Sequence, residues 1–335
     1  MSMATRIGIN GFGRIGRNAA RIILRSKGVS LAAINSLSDA SSHAYLLRHD
    51  SAQGEFAADI ALQGTVLMVN GSAVFTFQSN NASEIPWDTA NVDIVLECTG
   101  KIRTADEAEA HLGHGVKAVV ISAPVKDAAP TYVMGVNHAL YKKEHVVSNS
   151  SCTTNCVTTV LKVLDDAFGV TRGTMTTVHA ATDSQNLLDN SHKKEIRLRR
   201  SSLVNLIPAA SGSSGDVVKL FPHLKGMFPC RAIRVPLPAV SLIDLVVEVK
   251  KQTTVESVNT AFEKSGKGAL NGILAVAQEE LVSSDYIGSS YSAIVDPYLT
   301  DVVDRTLVHV TAWYDNEWGY ANRLVELSSY IASLL

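Results

Sequence analysis

Residues 6–16 read Arg-Ile-Gly-Ile-Asn-Gly-Phe-Gly-Arg-Ile-Gly: a short apolar-biased strand (6–10) that runs straight into Gly11-Phe12-Gly13-Arg14-Ile15-Gly16. The next stretch, RNAARIILRSKG, has helical periodicity through Ile15, Ala19, Ile22 and Ile23, with Gly28 as the expected stop. VSLAAINS at 29–36 reads as a second buried strand. A G-x-G-x-x-G turn between a strand and a helix is the context in which that motif holds a dinucleotide. Gly11 allows the tight turn, Gly13 lets the backbone approach a pyrophosphate, and Gly16 lets helix and sheet pack closely. The helix N-terminus offers unpaired N–H groups to the phosphates.

The second strand ends in Asn35-Ser36. An acidic residue there would take both ribose hydroxyls and repel a 2′-phosphate; Ser36 does neither strongly. The motif therefore specifies a dinucleotide without specifying which one. Asp39 lies past the strand end and reads as a turn or cap residue.

Outward from this unit the pattern repeats. VDIVLECTG (92–100), VKAVVISAP (116–124) and HVVSNSS (145–151) read as buried strands, with ADEAEAHLGHG as an amphipathic helix ending on Gly. Near-continuous apolar strands alternating with helices indicate a mostly parallel sheet covered on both faces, a Rossmann-type α/β domain. After Ser151 the pattern changes. CTTNCVTTVLKVLDDAF reads as a long helix, and GTMTTVHA as a strand that alternates polar and apolar residues. Residues 182–209 have little periodicity and many polar and basic groups. AIRVPLPAVSLIDLVVEVK (232–250) and LVHVTAWYD (307–315) read as long strands, and 316–334 as a closing amphipathic helix. This second part is expected to be an α+β domain with a long-stranded mixed or antiparallel sheet.

Length agrees: 335 residues, at about 150 per domain, make two domains. With 46% hydrophobic and 19% charged residues the chain is too apolar for disorder. Thirty basic against 32 acidic residues, a formal charge of −2, provide no excess to hold a nucleic acid or an anionic membrane, so neither partner is implied. The opening MSMATRIGINGF is not of signal-peptide type, and runs such as 116–121 fall far short of the roughly 18 residues that span a membrane. Four cysteines (Cys98, Cys152, Cys156, Cys230) make no disulfide scaffold, and no second close pair answers C-T-T-N-C as a zinc site, so no metal is expected and a reducing cytoplasm is.

Cys152 stands in SNSSCTTNC, between a strand end and a helix start, where free N–H groups and the helix dipole favour a thiolate. Cys156, one turn further in, suits the core. His179, at the end of GTMTTVHA, is the candidate ion-pair partner and proton shuttle, although spacing alone does not pair the two. A thiolate beside a dinucleotide points to aldehyde oxidation: attack gives a thiohemiacetal, hydride loss gives an acyl thioester, and an acceptor takes the acyl group. Ser151, Thr153, Ser211 and Gly212 are candidate donors to an anionic acceptor, and Thr182 and Arg234 to a charged substrate tail.

The stretches INGFGRIGR, ECTG, ISAPVKD, SNSSCTTNC, TTVHA, SHKK, IRVPLPAVSLIDL and AWYDNEWGY closely resemble phosphorylating glyceraldehyde-3-phosphate dehydrogenases over essentially the whole chain. The resemblance implies that D-glyceraldehyde 3-phosphate, NAD(P)⁺ and inorganic phosphate give 1,3-bisphosphoglycerate, with Cys152 as nucleophile and His179 as base. It implies the substrate 3-phosphate at Thr182 and Arg234, and inorganic phosphate at Ser151, Thr153, Ser211 and Gly212 with Arg197 nearby. It places Phe12, Arg14, Ile15, Asn35, Ser36, Asn80, Thr99, Ser122, Ser191, Asn316 and Tyr320 beside the dinucleotide, and Asn316 on the nicotinamide amide. It further implies a homotetramer whose 182–209 loop helps shape a neighbour's cofactor pocket. On this basis the dinucleotide domain is 1–151 completed by 316–335, and the catalytic domain is 152–315.

Several positions depart from the family pattern. Ser36 stands where NAD-specific members carry Asp, and Asn80 near an adenine-side Arg. Ile102 replaces Phe, Ala181 often Tyr, and Ser184 an Asp or Thr; Asn190-Ser191 is similar to the Ala-Ser pair of NADP-accepting plastid members. All bear on the adenosine side, which makes NADP an expected second cofactor beside NAD. The related erythrose-4-phosphate dehydrogenases, which release their product to water, are the nearest alternative; the complete Ser151/Thr153/Ser211/Gly212 set favours phosphate as acceptor. Aspartate-semialdehyde dehydrogenase shares the thiol logic without the IRVPLPAVSLIDL stretch. A non-catalytic binding or adhesion role on the same scaffold is the alternative from another class, against which the Cys152/His179 pair stands.

Overall fold

The computed structural model describes residues 4–192 and 195–335. Lys193 and Lys194 of the SHKK stretch lie outside the described residues. The chain divides into two compact units: one runs to Ser150 and resumes over Ala321–Leu335, and the other is Ser151–Tyr320.

In the first unit, β1 (Thr5–Asn10) leads through the glycine turn into α1 (Arg14–Ile23), followed by β2 (Val29–Asn35), α2 (Ala40–Arg48), β3 (Ile60–Gln63), β4 (Val66–Val69) and β5 (Ser72–Phe77). Then come β6 (Ile94–Glu97), α3 (Ala105–Glu109), β7 (Ala118–Ile121) and β8 (Val146–Ser148). They form one eight-stranded sheet in the order β3-β4-β5-β2-β1-β6-β7-β8. From β5 to β8 every pairing is parallel. β3, β4 and β5 form an antiparallel meander, which short, half-exposed strands did not announce in the sequence. The apolar faces of β1, β2, β6 and β7 are buried, as parallel strands covered on both sides require. Arg21, on the core side of α1, is buried because its guanidinium donates to the carbonyls of Leu47, Arg48 and Gly54. Asp39 is the N-cap of α2, its carboxylate accepting from Ser42 N–H at 2.8 Å.

Two expected stops fall elsewhere. α1 ends at Ile23, and Gly28 instead makes the turn before β2 at φ 81°, its carbonyl accepting from Thr5 N–H. The helix expected in ADEAEAHLGHG is only the five residues of α3, capped by Thr104.

The second unit begins with α4 (Cys152–Phe168) and β9 (Val170–Ala180), followed by β10 (Ile207–Ala210), α5 (Ser213–Leu220), β11 (Cys230–Val235) and β12 (Ser241–Val249). α6 (Val255–Lys267), β13 (Leu274–Val276), β14 (Ala293–Val303) and β15 (Leu307–Tyr314) complete this unit, and α7 (Trp318–Ala332) spans its boundary, belonging to the first unit from Ala321 on. Seven strands form a mixed sheet, β10-β11-β9-β12-β15-β14-β13. The single long strand expected over 232–250 is two. β11 runs parallel to β9 and β12 antiparallel to it on the other side, so the chain must turn between them. Pro236 and Pro238, which lack a ladder donor, and Val240 at φ 69° make that turn.

Candidate active site

In the first unit the glycine turn has a separate reason at each position. Gly11 sits at φ 93°, and a Cβ there would lie 2.7 Å from Thr99 N. A Cβ on Gly16 would lie 2.1 Å from the Gly11 carbonyl oxygen, so helix and strand meet only over hydrogen. A Cβ on Gly13 would meet nothing within 4 Å, and α1 starts there with no side-chain cap and no acidic residue in its first turn. Open space before an uncapped helix N-terminus fits a diphosphate. Beside it, Phe12 packs its ring edge-on against His43, Ile15 is partly exposed, and Arg14 pairs with Asp50.

The strand ends around the turn are tied by buried side chains. Asn35 donates from its amide to Asn10 Oδ1 (2.8 Å) and to the Ser79 carbonyl (2.9 Å), and its Oδ1 accepts from Ser79 N–H. Its side chain therefore holds the ends of β1, β2 and β5 together instead of facing outward. Glu97 accepts from Asn10 on one carboxylate oxygen, and from the Thr99 N–H and hydroxyl on the other. Ser36, half-buried, is bonded through its N–H to Phe77, and Asn80 is exposed in the loop after β5. Ser122 follows β7, its N–H donating to the Glu97 carbonyl.

The thiol belongs wholly to the second unit. Ser151 is the N-cap of α4, its hydroxyl accepting from Thr154 N–H at 3.1 Å, so Cys152 is the first helical residue. Its Sγ lies 3.5 Å from His179 Nε2. His179 is buried near the end of β9, and the parallel register of β11 sets Arg234 directly beside it. Nδ1 of His179 lies 2.7 Å from the Ala180 carbonyl oxygen and 2.7 Å from Arg234 Nη1. The carbonyl requires a proton on Nδ1 and the guanidinium requires a lone pair, so only one of these hydrogen bonds holds at a time. Burial, and after it the Arg234 charge, pushes the imidazole down to about 3. Burial also pushes the Cys152 thiol up, against the Arg234 charge and donors from Thr153 that pull it down. The helix-terminal advantage read from the sequence is thus opposed by desolvation.

A second helix N-terminus converges on the first. Thr154 Oγ1 donates to Ser213 Oγ (3.2 Å), the first residue of α5, whose N-cap Gly212 is exposed with open space at its missing Cβ. Ser211 accepts from Ser213 N–H. Ser151, Ser211 and Gly212 are therefore brought together around two helix starts. Thr153 lies in the same turn but is buried, its hydroxyl 2.9 Å from the Tyr314 hydroxyl. Thr182, just past β9, has its N–H on Gln185 and its hydroxyl on Ser184.

Arg197 is not gathered into this set. It lines a cavity of about 770 Å³ with Thr176 and Arg231. Thr176 alternates with Thr177 and His179 along β9, so this cavity is on the sheet's other face. Ser191 is exposed in the 182–209 segment, bonded to Asn190 and Asn186. Asn316 is buried, its Oδ1 accepting from Ser241 Oγ (3.1 Å), and Tyr320 is buried in α7. The sequence reading missed Thr177 and Tyr314, whose hydroxyls are 2.9 Å apart, with the Thr153 hydroxyl 2.9 Å from that of Tyr314. Polar residues at inward positions of otherwise apolar strands were their only signal.

A Rossmann-type unit with an open glycine turn, and a second unit holding a thiol against an imidazole, define a thiol-dependent dehydrogenase. Residues 5–105 match the family model described as glyceraldehyde 3-phosphate dehydrogenase, NAD binding domain, and residues 151–316 match its C-terminal domain. The chain is 45% identical over 333 residues to glyceraldehyde-3-phosphate dehydrogenase of Geobacillus stearothermophilus, covering 99% of both. It is 45% identical to glyceraldehyde-3-phosphate dehydrogenase 1 of Bacillus cereus (98% of this chain, 99% of the relative) and 42% identical to glyceraldehyde-3-phosphate dehydrogenase 2 of Streptomyces avermitilis (99% and 100%). The chain belongs to the glyceraldehyde 3-phosphate dehydrogenase family.

Proposed function

We propose that this chain oxidises D-glyceraldehyde 3-phosphate and transfers the acyl group to inorganic phosphate, giving 1,3-bisphosphoglycerate. The observation that carries the reading is the Cys152 Sγ–His179 Nε2 approach of 3.5 Å at a helix start, beside a second open helix start. Arg234 and Thr182 hold the substrate's phosphate. Cys152 adds to the aldehyde carbon while His179 takes the thiol proton and passes it to the forming alkoxide; the neutral imidazole then takes that hydroxyl proton back as the hydride leaves. When bound, the nicotinamide cofactor accepts the hydride. Asn316, fixed through Ser241, orients the nicotinamide amide. Inorganic phosphate, held by Ser151, Ser211 and Gly212 with the helix-start backbone at Thr153, then attacks the acyl thioester and releases the thiolate. Following aldehyde oxidation with and without phosphate, on glyceraldehyde 3-phosphate and on erythrose 4-phosphate, tests this reading. Phosphate-dependent turnover of the first supports it; phosphate-independent turnover of the second makes the chain an erythrose-4-phosphate dehydrogenase.

NAD is the family's cofactor, and NADP is accepted as well in this chain. The reading rests on Ser36 at the end of β2, which carries no charge to repel a 2′-phosphate. A kcat/KM for NAD more than about a thousandfold above that for NADP contradicts it. The chain works as a cytoplasmic homotetramer. Leu187, Leu188, Ile196, Val204 and Leu206 of the 182–209 segment are exposed, an apolar surface suited to burial against another copy. Light scattering on the purified protein reads the mass directly; a monomer contradicts the assembly.

A further inference from the structure

We propose that Thr177 and Tyr314 are positioning residues: with Thr153 they form a chain of hydroxyls whose direction follows the charge on the Cys152 sulfur. The inference rests on Cys152 being the nucleophile. Tyr314 Oη lies 2.9 Å from both Thr153 Oγ1 and Thr177 Oγ1, Thr177 Oγ1 donates to the Leu242 carbonyl at 2.9 Å, and the Thr153 side chain is within hydrogen-bonding reach of the Cys152 sulfur. Tyr314 is 1% exposed, so no water competes for these groups.

Each hydroxyl has one hydrogen to give. Thr177 spends its hydrogen on Leu242, so Tyr314 donates to Thr177 and Thr153 donates to Tyr314. The chain then points away from the sulfur. A neutral thiol is a weak acceptor and a backbone carbonyl a strong one, which favours this direction at rest. Once the thiol proton has passed to His179 Nε2, the sulfur is the stronger acceptor. Each hydroxyl then rotates: Thr153 donates to the thiolate, Tyr314 to Thr153, and Thr177 to Tyr314. The Thr177 hydrogen bond to the Leu242 carbonyl is exchanged for the one to the thiolate, no covalent bond breaks, and no proton leaves its oxygen. Burial holds the Tyr314 phenol well above its ordinary titration range, so it serves as a rotor and not as a base. When sulfur is again neutral, in the thiohemiacetal and acyl stages, the chain returns to Leu242.

The arrangement has an unusual sign. At rest, the chain keeps Thr153's hydrogen away from the sulfur. Without the Tyr314 hydroxyl, or without the Thr177 hydroxyl that Tyr314 donates to, the chain no longer draws that hydrogen away from the sulfur. The test is the pH profile of Cys152 alkylation by iodoacetamide in the cofactor-bound enzyme. Tyr314→Phe and Thr177→Val should each move the midpoint down by about half a pH unit or more, and Thr153→Val should move it up. Thr177→Ser, which restores a hydroxyl, should return the wild-type midpoint. Unchanged or upward midpoints in Tyr314→Phe and Thr177→Val overturn the proposal. Should Tyr314→Phe fail to fold, the Thr177→Val and Thr177→Ser pair decides alone. Alkylation needs no substrate, so a wild-type enzyme that fails to oxidise the aldehyde sinks the functional reading without deciding the hydroxyl chain.

Discussion

His179 and Arg234 are register partners on parallel strands, with Nδ1 of the imidazole 2.7 Å from Nη1 of the guanidinium. One contact between side chains 55 residues apart in sequence places a fixed positive charge beside the imidazole that is proposed as the base. Under the proposed mechanism position 234 meets two demands: a donor for an anionic substrate tail, and a planar fork that reaches the imidazole without displacing it.

Arg234→Ala is therefore expected to cost about a hundredfold in kcat/KM for glyceraldehyde 3-phosphate, with the KM for NAD unchanged. Arg234→Lys should recover only part of that loss, since an ammonium cannot reproduce the fork. Steady-state kinetics on the two variants check this. An equal loss for an aldehyde without a phosphate would assign Arg234 to the chemistry instead of to the substrate's tail.

The glycine turn separates fold from ligand. Gly16→Ala would drive a methyl to 2.1 Å from the Gly11 carbonyl oxygen, and a cost of about 2 kcal/mol or more is expected in chemical denaturation. Gly13→Ala meets open space, so its stability should match the wild type while NAD binding, read by calorimetry, weakens about tenfold. Equal stability losses in the two would mean that Gly13 is structural.

How far these sites were legible in the sequence depends on how local they are. The glycine turn and the Ser151-Cys152 helix start are written in consecutive residues, because a turn and a cap are made by the side chains that form them. Contacts across strands are different. The His179–Arg234 pair exists through the β9–β11 register, and Tyr314 reaches Thr177 only because β15 lies next to β12, itself beside β9. Asn35 is placed beside the dinucleotide by the family resemblance, yet its amide is consumed by Asn10 and Ser79. Arg197 was placed by family resemblance near the phosphate site, and the sheet's alternation puts it with Thr176 on the other face. The break at 236–240 was signalled by two prolines, but the β propensity around them read through it.

Oxidation should distinguish the four thiols. Cys152 is partly exposed and beside a base, whereas Cys156 and Cys230 are buried and burial holds the Cys98 thiol up at about 12. Dilute peroxide is expected to inactivate the enzyme with sulfenic acid at Cys152 alone, and glyceraldehyde 3-phosphate to slow the loss. Peptide mass mapping reads the site; first oxidation at Cys98 would contradict the ordering.

The central claim is an acyl group carried on Cys152 and discharged to phosphate. Mixing enzyme, NAD and glyceraldehyde 3-phosphate without phosphate in a stopped-flow instrument tests it most directly. A burst of one NADH per subunit, an acyl adduct on Cys152 by mass spectrometry, and rapid turnover only when phosphate is added are expected. Cys152→Ser should fold normally and give no burst. Steady turnover without phosphate, or aldehyde oxidation surviving in Cys152→Ser, would contradict it.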